Sequence, residues 1–294
     1  MKKIISLLFI GGMFTFNAVA QDASDVTENK DWKYDAVGTL QFTQLGLSNW
    51  AAGGEDALSL TGFVKANANY AKDGEEWENF IHLGYGLIKQ GSRDFVKSDD
   101  KLEINSLYKR KAKGNWSYAT LLNFKSQFDL GYNDPNSRDT VVSQFMAPGF
   151  LELSVGMDYK PKDNFSIYLS PIAMKAIYVL AEQVDETRYG LDLGDKSRYE
   201  LGAKMEMKYK TKLMDNITFE TLFGLYSNYL DNPQTIDVKW NNAIVMQVNK
   251  YISMNLSTEL LYDDNTVFLK DNGKVGKAVQ FREVLGLALT YKLL

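Results

Sequence analysis

The chain holds one histidine, His82, and no cysteine. A lone imidazole acts as a general base only where a nucleophile stands within hydrogen-bond reach and a third group orients the ring. Alternation along residues 77–89 puts His82 on one face with Phe80 and Gly84, so its partners must come from adjacent strands, Asn67 or Asn105 being the candidates. No Gly-x-Ser-x-Gly elbow accompanies it. The plainer reading is a histidine hydrogen-bonded to the residues of the wall that carries it. Metal chemistry fares no better, since one His, no Cys and scattered acids make no zinc set. Asp263-Asp264-Asn265 and Asp271-Asn272-Gly273 offer oxygens of the kind calcium takes, but such residues are also ordinary turn formers. No metal or cofactor is therefore expected.

The denser chemistry is ionic. One phase of the alternating segments carries Lys65, Lys125, Glu152, Lys204, Glu206, Glu220, Lys239, Glu259 and Arg282, with Lys33, Asp35, Glu78, Glu103, Lys109, Asp158, Lys208 and Asp237. Rings of charge lining a pore select which solute passes. Equally, long side chains of opposite sign can pair across neighbouring strands and fill an interior. Both readings stand at this point, and both require that phase to face inward.

The elements that position these residues follow from period-two patterning, which repeats to the last residue. In Tyr199 to Tyr209 one phase reads Tyr199, Leu201, Ala203, Met205, Met207, Tyr209 and the other Glu200, Gly202, Lys204, Glu206, Lys208. Comparable patterns cover roughly 32–45, 58–70, 77–89, 101–111, 115–128, 149–160, 165–180, 217–229, 236–248, 251–262 and 279–293, which makes about twelve strands. Short turns near 72–75, 112–114, 161–164, 211–216 and 249–250 alternate with longer polar loops near 46–57, 90–100, 129–148, 181–197, 230–235 and 263–278. This is the layout of an all-β, up-and-down antiparallel transmembrane β-barrel with periplasmic turns and extracellular loops. Aromatic residues gather at the short-turn ends (Trp32, Tyr70, Trp77, Tyr108, Trp116, Tyr159, Phe165, Tyr209, Tyr251, Tyr291), while the middles of the same faces are aliphatic. That is an interfacial girdle around a lipid belt, so the charged phase is the lumen.

Composition agrees. With 24% charged residues, 45% hydrophobic residues and a mean hydropathy of −0.28, the chain is neither disordered nor a bundle of apolar helices. Its one sustained apolar run, Ile4 to Phe16, follows Lys2-Lys3 and precedes Ala18-Val19-Ala20, which reads as a signal peptide over residues 1–20. Residues 21–31 are then a short periplasmic leader and 32–294 the barrel. A net charge of −4 carries no basic footprint for nucleic acid. The expected partners are outer-membrane lipid, the barrel-insertion machinery and a small polar solute.

The segment Gly46-Leu47-Ser48-Asn49-Trp50-Ala51-Ala52-Gly53-Gly54-Glu55 resembles the signature of an uncharacterised outer-membrane β-barrel family of Bacteroidota, and Ser170-Pro171-Ile172-Ala173-Met174-Lys175 resembles a second block of it. The resemblance implies a barrel in the outer membrane and no activity. Trp50 between Asn49 and small residues suits either a loop folded into the barrel, with Asn49 and Glu55 as hydrogen-bonding groups, or a tight hairpin with Trp50 in the outer girdle. Pro171 predicts a bulge in the seventh strand that turns Lys175 toward the lumen near the outer mouth. The expected function is admission or binding of a small polar solute through a charged lumen. The alternatives are a closed structural or receptor barrel and an enzyme using His82.

Overall fold

The computed structural model describes residues 31–45, 55–134, 136–263, 268–269 and 275–294. The expected signal peptide, residues 21–30 of the expected leader, the segment 46–54 with Asn49 and Trp50, and the acid clusters at 264–265 and 271–273 lie outside the described residues. Twelve long strands form one closed antiparallel barrel. They are β1 (Trp32–Leu45), β2 (Ala57–Lys72), β3 (Glu75–Gln90), β4 (Val96–Lys111), β5 (Trp116–Ser126), β6 (Gly149–Lys162), β7 (Phe165–Tyr178), β8 (Ser197–Met214), β9 (Ile217–Asn228), β10 (Asp237–Gln247), β11 (Ile252–Tyr262) and β12 (Gln280–Lys292). Each bonds its neighbours in sequence, and β12 bonds back to β1.

Register sorts the side chains into two faces, because residues directly opposite share one. Ile81 stands opposite Ala66 and Ile104, Leu122 opposite Leu153, and Met205 opposite Leu169 and Leu225. His82 stands opposite Lys65 and Glu103, and Lys204 opposite Ser170 and Tyr226. Asp99 and Arg282 decide which face is inside. They lie on β4 and β12, with three strands between them around the wall, yet the guanidinium meets the carboxylate at 2.6 Å. Only the interior offers that path, so the charged phase lines the lumen.

The other phase is exposed and apolar, with Leu40, Leu60, Val64, Ile81, Ile104, Leu122, Leu153, Leu169, Leu201, Leu287 and Leu289 outward. At the short-turn rim it ends in aromatic rings that touch: Trp32 lies 5.9 Å from Tyr34, 5.3 Å from Tyr70 and 5.9 Å from Trp77, and Trp116 lies 4.7 Å from Tyr159. An outward apolar belt is costly in water and costs nothing in hydrocarbon.

Two connections differ from the sequence reading. The polar stretch 90–100 is mostly strand, since β4 begins at Val96 and the loop shrinks to Gly91–Phe95. Above the lipid belt nothing requires an apolar outer phase, so alternation fades although pairing continues. The turn expected at 211–216 reduces to Asp215–Asn216 because β8 runs on to Met214. Opposite Pro171–Ile172 the register shifts on both neighbours, between Val155 and Met157 and between Gly202 and Lys204. Two longer loops also build a small core at the long-loop rim. Val179, Val184, Leu191, Ala147 and Ile177 bury together, with Val141 and Tyr189 against them.

Candidate functional site

The lumen has two unlike walls. Along β4–β8 its polar residues are covered: Lys109, Asn123, Ser154, Asp158, Ser170 and Glu200 are all buried. They are covered by ion pairs and by each other. Lys109 Nζ reaches Glu76 at 2.7 Å and Glu78 at 2.5 Å. Lys204 Nζ bridges Glu152 at 2.5 Å and Glu206 at 3.2 Å, and Lys208 adds 3.1 Å to Glu206. Beneath them Leu107, Ala119, Leu121 and Tyr168 form an apolar patch on the lumen side, and the Tyr168 hydroxyl donates to Ser154 Oγ at 3.0 Å. Long side chains fill this half of the interior, with Lys109, Lys204, Glu206 and Glu200 each meeting an opposite charge as a low-dielectric setting demands.

The opposite wall, β11, β12, β1 and β2, mixes short groups such as Ser257, Thr39 and Thr290 with long ones such as Lys65 and Arg282. Ser257 and Lys65 remain exposed although both face inward, as does Arg282, whose side chain is 53% exposed. Thr39 and Thr290 hydroxyls meet at 3.4 Å, and Asn67 Nδ2 donates to Asp35 at 2.7 Å. Inward residues of this wall are therefore mixed in exposure, with Ser257, Lys65 and Arg282 exposed and Ser253 and Ala288 buried.

Near the long-loop rim the interior is crossed. Twelve strands spaced and tilted as in an ordinary barrel would set β4 and β12 roughly 20 Å apart across a circular section, beyond the reach of an Arg and an Asp side chain. The Arg282–Asp99 pair at 2.6 Å therefore marks a flattened, pinched level. Lys239 of β10 reaches across toward Lys125 of β5 and the neighbouring Glu103. Glu103 itself holds Lys101 at 2.9 Å and Lys125 at 3.6 Å.

Lys175, beyond the bulge, does face the lumen. Its ammonium sits 3.3 Å from the Tyr226 ring centroid and 3.3 Å from Asp237. Tyr226 can lie flat there because its neighbour is Gly202; a Cβ at that position would stand 3.0 Å from the ring and 2.0 Å from the Ser227 carbonyl oxygen. Arg198 donates to Glu200 and to the Gly190 carbonyl, both at 2.6 Å, which ties the loop after β7 to the lumen wall.

The remaining sequence candidates scatter. Glu220 pairs with Lys210 close to the short-turn rim, Glu259 stands opposite Asn241 and Arg282, and Glu55 pairs with Arg93 at the long-loop rim. His82 tilts against Phe63 at 5.7 Å, between Lys65 and Glu103, with Asn67 and Asn105 one row away. Asp99 escapes a reading by alternation because the start of β4 has the pattern of a loop. Tyr226 escapes it because an inward tyrosine does not announce itself among charges.

A family profile described as a protein of unknown function (DUF3078) matches residues 42–132. No curated protein matches the chain in sequence. Among solved structures, the COG4313 outer membrane channel from Pseudomonas putida F1 is similar at 10% identity and a TM-score of 0.42, covering 88% of this chain and 95% of that one. The NanC porin gives 8% and 0.41, covering 86% and 98%, and the outer membrane channel DcaP of Acinetobacter baumannii 9% and 0.34, covering 89% of this chain and 96% of its own.

Proposed function

We propose that the barrel sits in a bacterial outer membrane, long loops outside, and passes a small polar solute along the β11–β2 wall. The outward apolar belt with its aromatic rim supports the membrane placement. One observation carries the channel reading: Lys109, Lys204, Glu206 and Glu200 on β4–β8 lie under ion pairs with little exposure, whereas Lys65, Ser257 and Arg282 on the facing wall are exposed. The Arg282–Asp99 crossing is the gauge of that path, and mixed charge there suits a polar solute better than a bare ion of one sign.

Planar-bilayer recording tests this. The wild type should conduct, Arg282→Ala with Asp99→Ala should widen the pinch and raise conductance, and Lys65→Glu should move ion selectivity toward cations. Absence of conductance, together with absence of sugar uptake into proteoliposomes, would overturn the channel and favour a closed scaffold barrel.

A further inference from the structure

The filled wall and the crossing balance their charges in opposite ways. On β4–β8 one ammonium lies between two carboxylates: Lys109 between Glu76 and Glu78, and Lys204 between Glu152 and Glu206. At the crossing one carboxylate serves two ammoniums, Glu103 holding Lys101 at 2.9 Å and Lys125 at 3.6 Å, with its side chain only 14% exposed. The next carboxylate along β4, Asp99, is occupied by Arg282 at 2.6 Å.

A further cation enters this set from the far wall. Arg282 meeting Asp99 brings the inward residues of β12 up to β4; Glu259 stands opposite Arg282, Asn241 opposite Glu259, and Lys239 is the neighbouring inward residue of β10. The Lys239 ammonium comes against that of Lys125, with Glu103 and Glu259 near it. Among the described residues, Lys239 makes no ion pair with a carboxylate. The level thus gathers Lys101, Lys125, Lys239 and Arg282 against Asp99, Glu103 and Glu259. Lys65 stands in the same row as His82, Glu103 and Lys125, and its ammonium lies over the Phe80 ring at 5.4 Å.

Two ammoniums brought together away from bulk water repel strongly. An anionic group between them removes that cost and takes charge-assisted hydrogen bonds from both. The flanking carboxylates shape the rest of the ligand, because an ionised carboxylate only accepts hydrogen bonds. Around the anion, Glu259 and Asp99 therefore favour hydroxyl groups and oppose a second negative group.

We infer that this level is an anion site, with Lys125 and Lys239 gripping a carboxylate or phosphate group from opposite walls, and that the molecule carrying this group is a small polyhydroxy acid or sugar phosphate. The inference rests on the solute reading proposed above and names the charge of that solute.

Its test needs binding and no passage. The full chain, folded into detergent micelles, is titrated with denaturant in potassium gluconate, glucose 6-phosphate, sorbitol or potassium chloride at matched ionic strength, since a ligand of the folded state raises the midpoint. Gluconate or glucose 6-phosphate should raise it, the larger gain telling carboxylate from phosphate, while sorbitol and chloride should not. Lys239→Met should weaken the organic anion roughly tenfold or more and leave the ligand-free protein no less stable, because it removes a cation that lacks a carboxylate. Lys204→Met, in the filled wall, should destabilise the protein and keep the gain. Lys239→Gln reads the same charge if the methionine variant does not fold. An equal gain from chloride or sorbitol, a gain that survives in the Lys239 variants, or no gain in the wild type, as when a carboxylate of the chain itself answers Lys239, would overturn the site. Bilayer recording keeps the two readings apart: binding through Lys239 without current upholds the site and ends the channel, and current without binding upholds the channel and ends the site.

Discussion

Adjacent strands from β4 to β8 share ten to twelve registered pairs, while the β12–β1 seam shares six among the described residues. The first sector also carries the filled, ion-paired wall and the small core of Val179, Val184 and Leu191 at its long-loop rim. The second carries hydroxyls, amides and exposed Ser257. The two sectors therefore differ in how far their inward side chains cover one another. The difference teaches that a twelve-strand circumference encloses more space than side chains can fill evenly.

Ways to break that contrast rank by size. Lys204→Met removes the cation between Glu152 and Glu206 and should cost about 3–5 kcal/mol in denaturant titration of protein folded into vesicles. A cost near zero would mean that the filled wall is wet. Leu191→Ala should cost about 2–5 kcal/mol, confined to the loop core. Amide exchange around Val179 to Leu191 should then quicken while the strands stay protected; loss of strand protection would show that the loops hold up the barrel. At the seam, Thr290→Ala removes one partner of the 3.4 Å hydroxyl contact with Thr39 and should cost about 1 kcal/mol or less.

The smallest expected effect is a pH effect outside the belt. The Tyr85 hydroxyl donates to Asp129 at 2.7 Å and, with the Leu130 amide, holds that carboxyl below its ordinary range. A depressed carboxylate stabilises above the ordinary value near 4 and loses the contribution as pH falls through its folded pKa. Protection of the 128–130 backbone should therefore fade only in strong acid, and Tyr85→Phe should raise the pH at which it fades. An unchanged midpoint by NMR titration would show that the contact does not hold the carboxylate.

Much of this is legible from parity. Lipid outside and charge inside stamp opposite chemistry on alternate residues, so alternation alone places Lys65, Lys204 and Glu259 inward. Where the lipid stops, the stamp stops, which is why Val96–Asp100 has the pattern of a loop. The loop core is hidden because Val179, Val184 and Leu191 follow no period. The closure is hidden because pairing between the first and last strands leaves no trace in local sequence, and Asp99 meeting Arg282 is a contact between residues 183 positions apart.

The central claim is that one phase of every strand meets hydrocarbon and the other a polar interior. Arginine scanning by parity tests it most directly, through denaturant titration of Met205→Arg, Leu153→Arg, Lys204→Arg and Ser154→Arg in vesicles. Met205 and Leu153 face outward at mid-strand, and each substitution should cost roughly 2–4 kcal/mol. Lys204→Arg and Ser154→Arg, one residue away and inward, should cost far less, with Ser154→Arg the larger of the two because Ser154 is buried. Equal damage at all four positions would contradict the assignment of faces and everything built on it.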